Sequence, residues 1–300
     1  MVGRISTYVF SNRINAENLR LQIRASEAQL SMSGKKGSSY SVIGRDTLRL
    51  LNVQNDLART ETQNIVASNV ASRVQTMYSS IQNMIDLGNQ FRQTMAASLS
   101  GNLAVPAEVQ NVASNSEQAL ASLMNINFGG RYLFAGDLIN TPPVDLTDPG
   151  YTAQGYPSVP NFNYYQGDQG IAQAEVSDGF SVSYGVTGDN PAFEQLFRAM
   201  NLASNNAANA AARQEAFDLA TTALAGLAAI QTDLSSNATL VDQQKASNED
   251  DTILFKSVVA DISETDIAQA SVNLTQYQTQ LEASYATVTR AIRLKLFNYL

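Results

Sequence analysis

The chain has 300 residues, of which 44% are hydrophobic and only 15% charged, with a net charge of −8. It contains no Cys, His or Trp, which excludes disulfides, thiolate sites, Ser-His-Asp arrangements and ordinary zinc centres. Residues 1–50 hold eight basic against three acidic residues, and the acidic excess lies in residues 51–250. A folded, weakly charged protein without a nucleic-acid-binding module is expected.

At the N-terminus, Ile5, Val9, Asn12, Ala16, Leu19, Ile23, Ser26 and Leu30 recur at spacings of three and four. That spacing predicts a helix with one narrow apolar stripe, of the kind that packs against another helix. Ser33-Gly34-Lys35-Lys36-Gly37-Ser38-Ser39 predicts its end. The apolar patch Ile5 to Phe10 is too broken for a signal-peptide core. No apolar run approaches the ~18 residues of a membrane span. These signals alone predict a cytoplasmic protein.

All seven prolines lie between Pro106 and Pro191, and ten of the seventeen glycines between Gly129 and Gly188. Long helices are therefore predicted on both sides of an irregular, strand-bearing middle. Asp46 to Leu99 predicts the longest helix, with Val70, Val74, Met77, Ile81, Met84, Gly88, Phe91 and Met95 on its apolar stripe. The Met residues read as core gap-fillers. Pro106 suits the first turn of the next helix, whose stripe is predicted as Val109, Val112, Ser116, Ala119, Leu123 and Ile126.

From Gly129 the period changes from helix to strand. Pro142 to Pro160 reads as irregular. Ile171 to Val176, Asp178-Gly179 and Phe180 to Val186 predict a hairpin that buries Phe180, Val182, Tyr184 and Val186. Pro191 opens a return helix carrying Phe193, Leu196, Phe197 and Met200, with a break expected between Asn201 and Ala212. Phe217, Leu219, Leu224, Leu227, Ile230 and Leu234 continue it. Ser263-Glu264-Thr265-Asp266 predicts a capping box. After it, Ile267, Ala270, Leu274, Tyr277, Leu281, Ser284, Val288 and Ala291 form a second narrow stripe.

The expected fold is mainly α: a long helical bundle or coiled coil formed by the N- and C-terminal arms, with a small inserted β domain. Five segments are expected: 1–44, a coiled-coil helix and turn; 45–127, an outgoing helical rod; 128–190, the β domain; 191–260, the returning rod; and 261–300, the C-terminal coiled-coil helix. The two terminal stripes predict an assembly seam of Ile5, Val9, Leu19, Ile23, Leu30, Ile267, Leu274, Leu281 and Val288.

Candidate chemistry is sparse. Asp137, Asp168, Asp178 and Asp189 all adjoin glycines, and two of them would make a carboxylate pair for glycoside hydrolysis. Asp-Gly is also the commonest turn chemistry, and turns are the stronger reading. Glu249-Asp250-Asp251 lacks the spacing and central Gly of a calcium loop. No catalytic residue, metal or cofactor is expected.

Three stretches resemble the bacterial flagellin family. They are Arg4-Ile5-Ser6, then Gln29-Leu30-Ser31-Met32-Ser33-Gly34-Lys35-Lys36, and the C-terminal Gln278 to Tyr285 with Leu296-Phe297-Asn298-Tyr299-Leu300. A hairpin of Gly130, Arg131, Tyr132, Leu133, Phe134, Ala135 and Gly136 resembles the family's hook-associated branch, the hook–filament junction proteins. One stretch departs from the family pattern: Ser38 to Arg45 replaces the usual acidic run.

The resemblance implies a non-enzymatic structural protein that self-assembles helically. It implies hook-associated protein 1, flagellin and a flagellar export chaperone as partners, with no nucleic acid and no membrane. It also implies secretion through the flagellum's own channel without a cleaved signal peptide. The alternative it leaves open is a filament flagellin with a reduced outer domain.

Overall fold

The computed structural model describes residues 2–32, 46–101, 106–263 and 267–297, with side chains described for 13–32, 46–101, 106–263, and 268–290. Among the described residues six helices run in chain order: α1 Val2–Ser31, α2 Thr47–Leu99, α3 Pro106–Met124, α4 Pro191–Asn205, α5 Ala210–Ser263 and α6 Ile267–Phe297. Between α3 and α4 lie β1 Asn127–Phe128, β2 Arg131–Tyr132, β3 Gln173–Ser177 and β4 Phe180–Ser183. They form two antiparallel two-stranded sheets, β1–β2 and β3–β4. The mainly α architecture with a small β insertion is the one the sequence predicts.

The chain divides into two compact units. One comprises residues 1–59 and 251–300, the other residues 60–250. The larger unit holds the β region together with its helices. Every member of the stripe Val70, Val74, Met77, Ile81, Met84, Phe91 and Met95 on α2 is buried. Phe193, Leu196, Phe197 and Met200 of α4 are fully covered too. Phe134 meets Phe193 edge-on at 5.8 Å, and Tyr164 lies 4.5 Å from Phe197. Each such side chain contributes about 1.5–3 kcal/mol by leaving water.

Helix ends follow local chemistry. The Asn190 side chain accepts from the Ala192 N–H, and Pro191 occupies the first turn of α4. Asn206 to Asn209 interrupts the helix, and Asn209 then accepts from the Ala211 N–H at the start of α5. The β1–β2 turn is Gly129-Gly130, with φ of 61° and 79°. Two consecutive left-handed residues are what a tight two-residue hairpin of this type requires.

Several expectations change. α5, with 54 residues, is one longer than α2. On α3 the buried set is Val109, Ala113, Ser116, Leu120, Ala121 and Met124. Val112, Ala119 and Leu123 sit only at its margin. In the β3–β4 hairpin Val182 and Tyr184 are buried and Val186 partly so, but Phe180, beside the turn at the hairpin tip, is exposed; the ladder slips at Val176 of β3. Ser263 belongs to α5, and its hydroxyl donates to the Val259 carbonyl rather than capping α6. Glu264, Thr265 and Asp266 lie outside the described residues.

Hydroxyls on the outer helix faces behave alike. Ser72, Thr76, Ser79 and Thr94 on α2, and Thr221 and Thr232 on α5, each donate to the carbonyl four residues earlier. Thr275, Thr279 and Thr289 do the same on α6. This is the usual local bond of Ser and Thr inside helices.

Candidate assembly surfaces

In the smaller unit α1 packs against α6. The contact buries Asn18, Leu21, Ala25 and Ala28 on α1 and Ala270 on α6. Leu274, Tyr277, Leu281, Ser284 and Val288 are half-buried on the α6 face that carries Ala270. Two hydrogen bonds tie the pair: Gln22 Nε2 donates to the Tyr285 hydroxyl at 2.7 Å, and the Ser284 hydroxyl donates to Asn18 Oδ1. The predicted C-terminal stripe is therefore the face turned towards α1.

The described part of the predicted N-terminal stripe, Ala16 to Leu30, is not in that contact. Leu19, Ile23 and Leu30 are 58%, 50% and 67% exposed. At about 100° per residue, their face lies about 160° around α1 from the Asn18–Ala28 face. The sequence reading followed the longer run of large side chains, whereas the intrachain contact uses Leu21 with Asn18, Ala25 and Ala28. The side chains of Ile5, Val9 and Ile267 lie outside the described residues. So do residues 33–45 and 298–300, which carry parts of the flagellin-like stretches.

In the larger unit, Gly130 to Tyr132 completes the β1–β2 hairpin, and Leu133, Phe134 and Ala135 follow it into the core. Arg131 donates to the Gly136 carbonyl at 3.1 Å. Gly136 has φ 71°, and a Cβ there would stand 2.1 Å from Asp168 Oδ1. Only glycine fits that position.

The candidate acids serve turns and surfaces. Asp168 Oδ1 accepts from the N–H groups of Asp137 and Gly170 at 2.7 and 3.0 Å. Asp178 accepts from Gln63 at 2.7 Å. Glu249 pairs loosely with Lys245, at 3.9 Å.

A strap across the helices was not anticipated beyond its irregularity. Residues 150–166 carry no charged side chain. An antiparallel bridge between Val144 and Tyr165 ties down its end, and helix side chains hold the rest. The Tyr151 hydroxyl donates to Glu117 Oε1 of α3 at 2.6 Å. The Gln154 N–H donates to Asn201 of α4 at 2.7 Å, and Asn201 donates in turn to Glu117 at 2.9 Å. Ser158 donates its N–H and hydroxyl to Glu215 of α5. The Asn161 N–H donates to Glu194 of α4 at 3.0 Å, and Arg198 pairs with that carboxylate at 3.1 Å. Burial raises the pKa of Glu117 and of Glu194 despite these donors.

Ser158, Asn161 and Tyr164 turn inward at a spacing of three. Tyr156, Val159 and Phe162 turn outward at the same spacing and are 49%, 64% and 42% exposed.

No protein-family model matches the sequence, and no curated protein does. Solved structures do match. A protein from Vibrio parahaemolyticus assigned as flagellar hook-associated superposes with a TM-score of 0.60 at 12% identity, over 73% of this chain and 97% of that one. Bacillus cereus FlgL superposes with a TM-score of 0.54 at 18% identity, over 68% of this chain and 97% of that one. Flagellar hook-associated protein 3 from Legionella pneumophila gives 0.54 at 10% identity, over 70% and 98%.

The chain has the fold of the flagellar hook-associated proteins. The hook-associated fold spans nearly the whole of each of these neighbours, so the likeness rests on the architecture and not on one shared motif. Among the described residues no helix is long and apolar enough to cross a membrane, and no group of three potential ligand residues could hold a metal.

Proposed function

We propose that this chain is a structural protein of the bacterial flagellum, forming the junction between hook and filament by helical self-assembly of its terminal helices. The observation that carries the reading is the hook-associated fold, matched over about seventy per cent of this chain in three structures. The two faces of α1 support it. One packs on α6, and the opposite one offers Leu19, Ile23 and Leu30 to solvent. A helix that pairs within its own chain and also joins a tube of copies needs two such faces. Ile5, Val9 and Ile267 extend the proposed seam, with Leu274, Leu281 and Val288 on the α6 side.

The neighbours in this reading are hook-associated protein 1 on the hook side and flagellin on the distal side. An export chaperone covers the apolar helix faces before secretion through the flagellar channel. The role is mechanical, not catalytic. The segment boundaries at residues 44, 127, 190 and 260 belong to the same proposal.

Immunogold labelling of isolated flagella with an antibody to residues 128–190 tests it. Label confined to a short zone beside the hook is the expected result. Label along the whole filament would instead make the chain a flagellin with a reduced outer domain, and no label on flagella would end the reading.

A further inference from the structure

We propose that the outward ridge Tyr156–Val159–Phe162 of one copy seats in a shallow groove between α2 and α3 of the next copy, a head-to-tail contact separate from the terminal helices. The proposal rests on the self-assembly reading above. The groove is lined by Asn83, Asp86, Leu87 and Gln90 of α2 and by Ala119, Ser122 and Leu123 of α3. Leu87, Ala119 and Leu123 supply apolar contact, and the amides and Ser122 supply a polar rim. The ridge matches this composition: three apolar knobs at a spacing of three, separated by Pro157, Ser158, Pro160 and Asn161.

Placement argues for a second copy as the occupant. Glu117, which holds the strap, and Ala119, Ser122 and Leu123, which line the groove, share α3. At about 100° per residue, Glu117 points about 170° away from the groove side. The strap that carries the ridge is thus held on the side of α3 away from the groove, within one compact unit. A surface and its complement on opposite faces of one body generate a chain of copies rather than a closed pair.

Charge points the same way. Residues 51–250 carry the acidic excess of the chain, so copies repel over most of this unit. The strap has no charge, and the groove has only Asp86, whose carboxylate already accepts from Gln82 at 3.2 Å. These are faces on which two such acidic bodies can meet without opposing like charges. The strap's order favours binding further. Its inward N–H groups are already bonded, and the prolines have none to lose, so little conformational freedom remains to be lost on contact.

The absence of native cysteine makes the test clean. Val159→Cys and Ser122→Cys are made singly and together in the full chain, checked by circular dichroism, concentrated until multimers sediment, and oxidised. A mixture of the two single variants should give a disulfide dimer, each single variant alone should give none, and the double variant should give a ladder. Dimers from Val159→Cys alone would overturn the head-to-tail geometry. Sedimenting multimers without the mixed disulfide would overturn the ridge–groove contact and leave self-assembly standing. Failure to sediment at any concentration, with no mixed disulfide, would overturn both. As a second measure, Val159→Asp should raise the concentration for half-assembly tenfold or more, and an unchanged value would count against the contact.

Discussion

At the scale of single residues, Glu117 shows how the strap is held. Its carboxylate accepts from both Tyr151 and Asn201 through one oxygen, and its pKa is raised chiefly by burial. A raised carboxyl means that the folded state holds the proton more tightly than the unfolded chain. Its contribution to stability is therefore full below the ordinary carboxylate range and is lost as pH rises through the raised value. Glu117→Gln keeps an acceptor oxygen for both donors and removes the buried charge. The variant should gain in urea midpoint over the parent as pH rises, and the difference should vanish in acid. Glu117→Ala should lose about 1–3 kcal/mol, because Tyr151 and Asn201 are left without an acceptor. Equal pH profiles for parent and Glu117→Gln would show that the charge is not felt. None of this was visible in the sequence, where Glu117 is one acid on a helix and its partners lie 34 and 84 residues away.

At the scale of elements, legibility tracked side-chain size. The α2 stripe emerged whole because large residues recur there at regular spacing, and the β3–β4 turn emerged because Asp178-Gly179 has few other uses, whereas at Gly129-Gly130 only a change of period was read and β1 was not foreseen. The α1 contact face stayed hidden behind Leu19, Ile23 and Leu30, since it offers one large apolar residue, Leu21, and Asn18, Ala25 and Ala28 beside it carry little hydrophobic signal. Ala212, Ala216, Ala220 and Ala223 on α5, all fully buried, were missed for the same reason. The α6 stripe was legible, and it invites a test. Leu274→Asp with Leu281→Asp places two charges on the half-buried face turned towards α1, where an unpaired charge costs several kcal/mol once assembly covers it. Cells carrying only that variant should make and export it yet fail to retain it on flagella, with flagellin leaking into the medium beside it. Gln276→Asp, on an exposed position, should be tolerated. Normal filaments in the double variant would argue against the seam.

Across the whole molecule, burial is unequal. Among the described residues every fully covered aromatic side chain lies in residues 60–250, whereas the α1–α6 contact buries only Leu21 among large side chains, with Asn18, three alanines and a row of side chains that stay half-exposed. Such a contact offsets little of the cost of ordering two long helices. Dilute protein should therefore be cut by trypsin first within α1 and α6, at Arg13, Arg20, Arg24 or Arg290, and leave a resistant fragment close to residues 60–250. Assembly should protect those same bonds. Initial cleavage at Arg131 or Arg198 would reverse this order of stability. The sequence showed that the termini were thin stripes, but the division of α2 and α5 between two units has no signature in their composition.

The hydroxyls that bond back into their own helices bear on how such a surface changes environment. A Ser or Thr that has already given its proton to the carbonyl four residues back presents mainly carbon and a satisfied oxygen. When a neighbour covers it, no donor is orphaned and little water must be stripped from an ion. The exterior of α2, α5 and α6 is thus suited to two lives: wet while the chain travels alone, and dry once it is walled in, with no rearrangement of side chains between them.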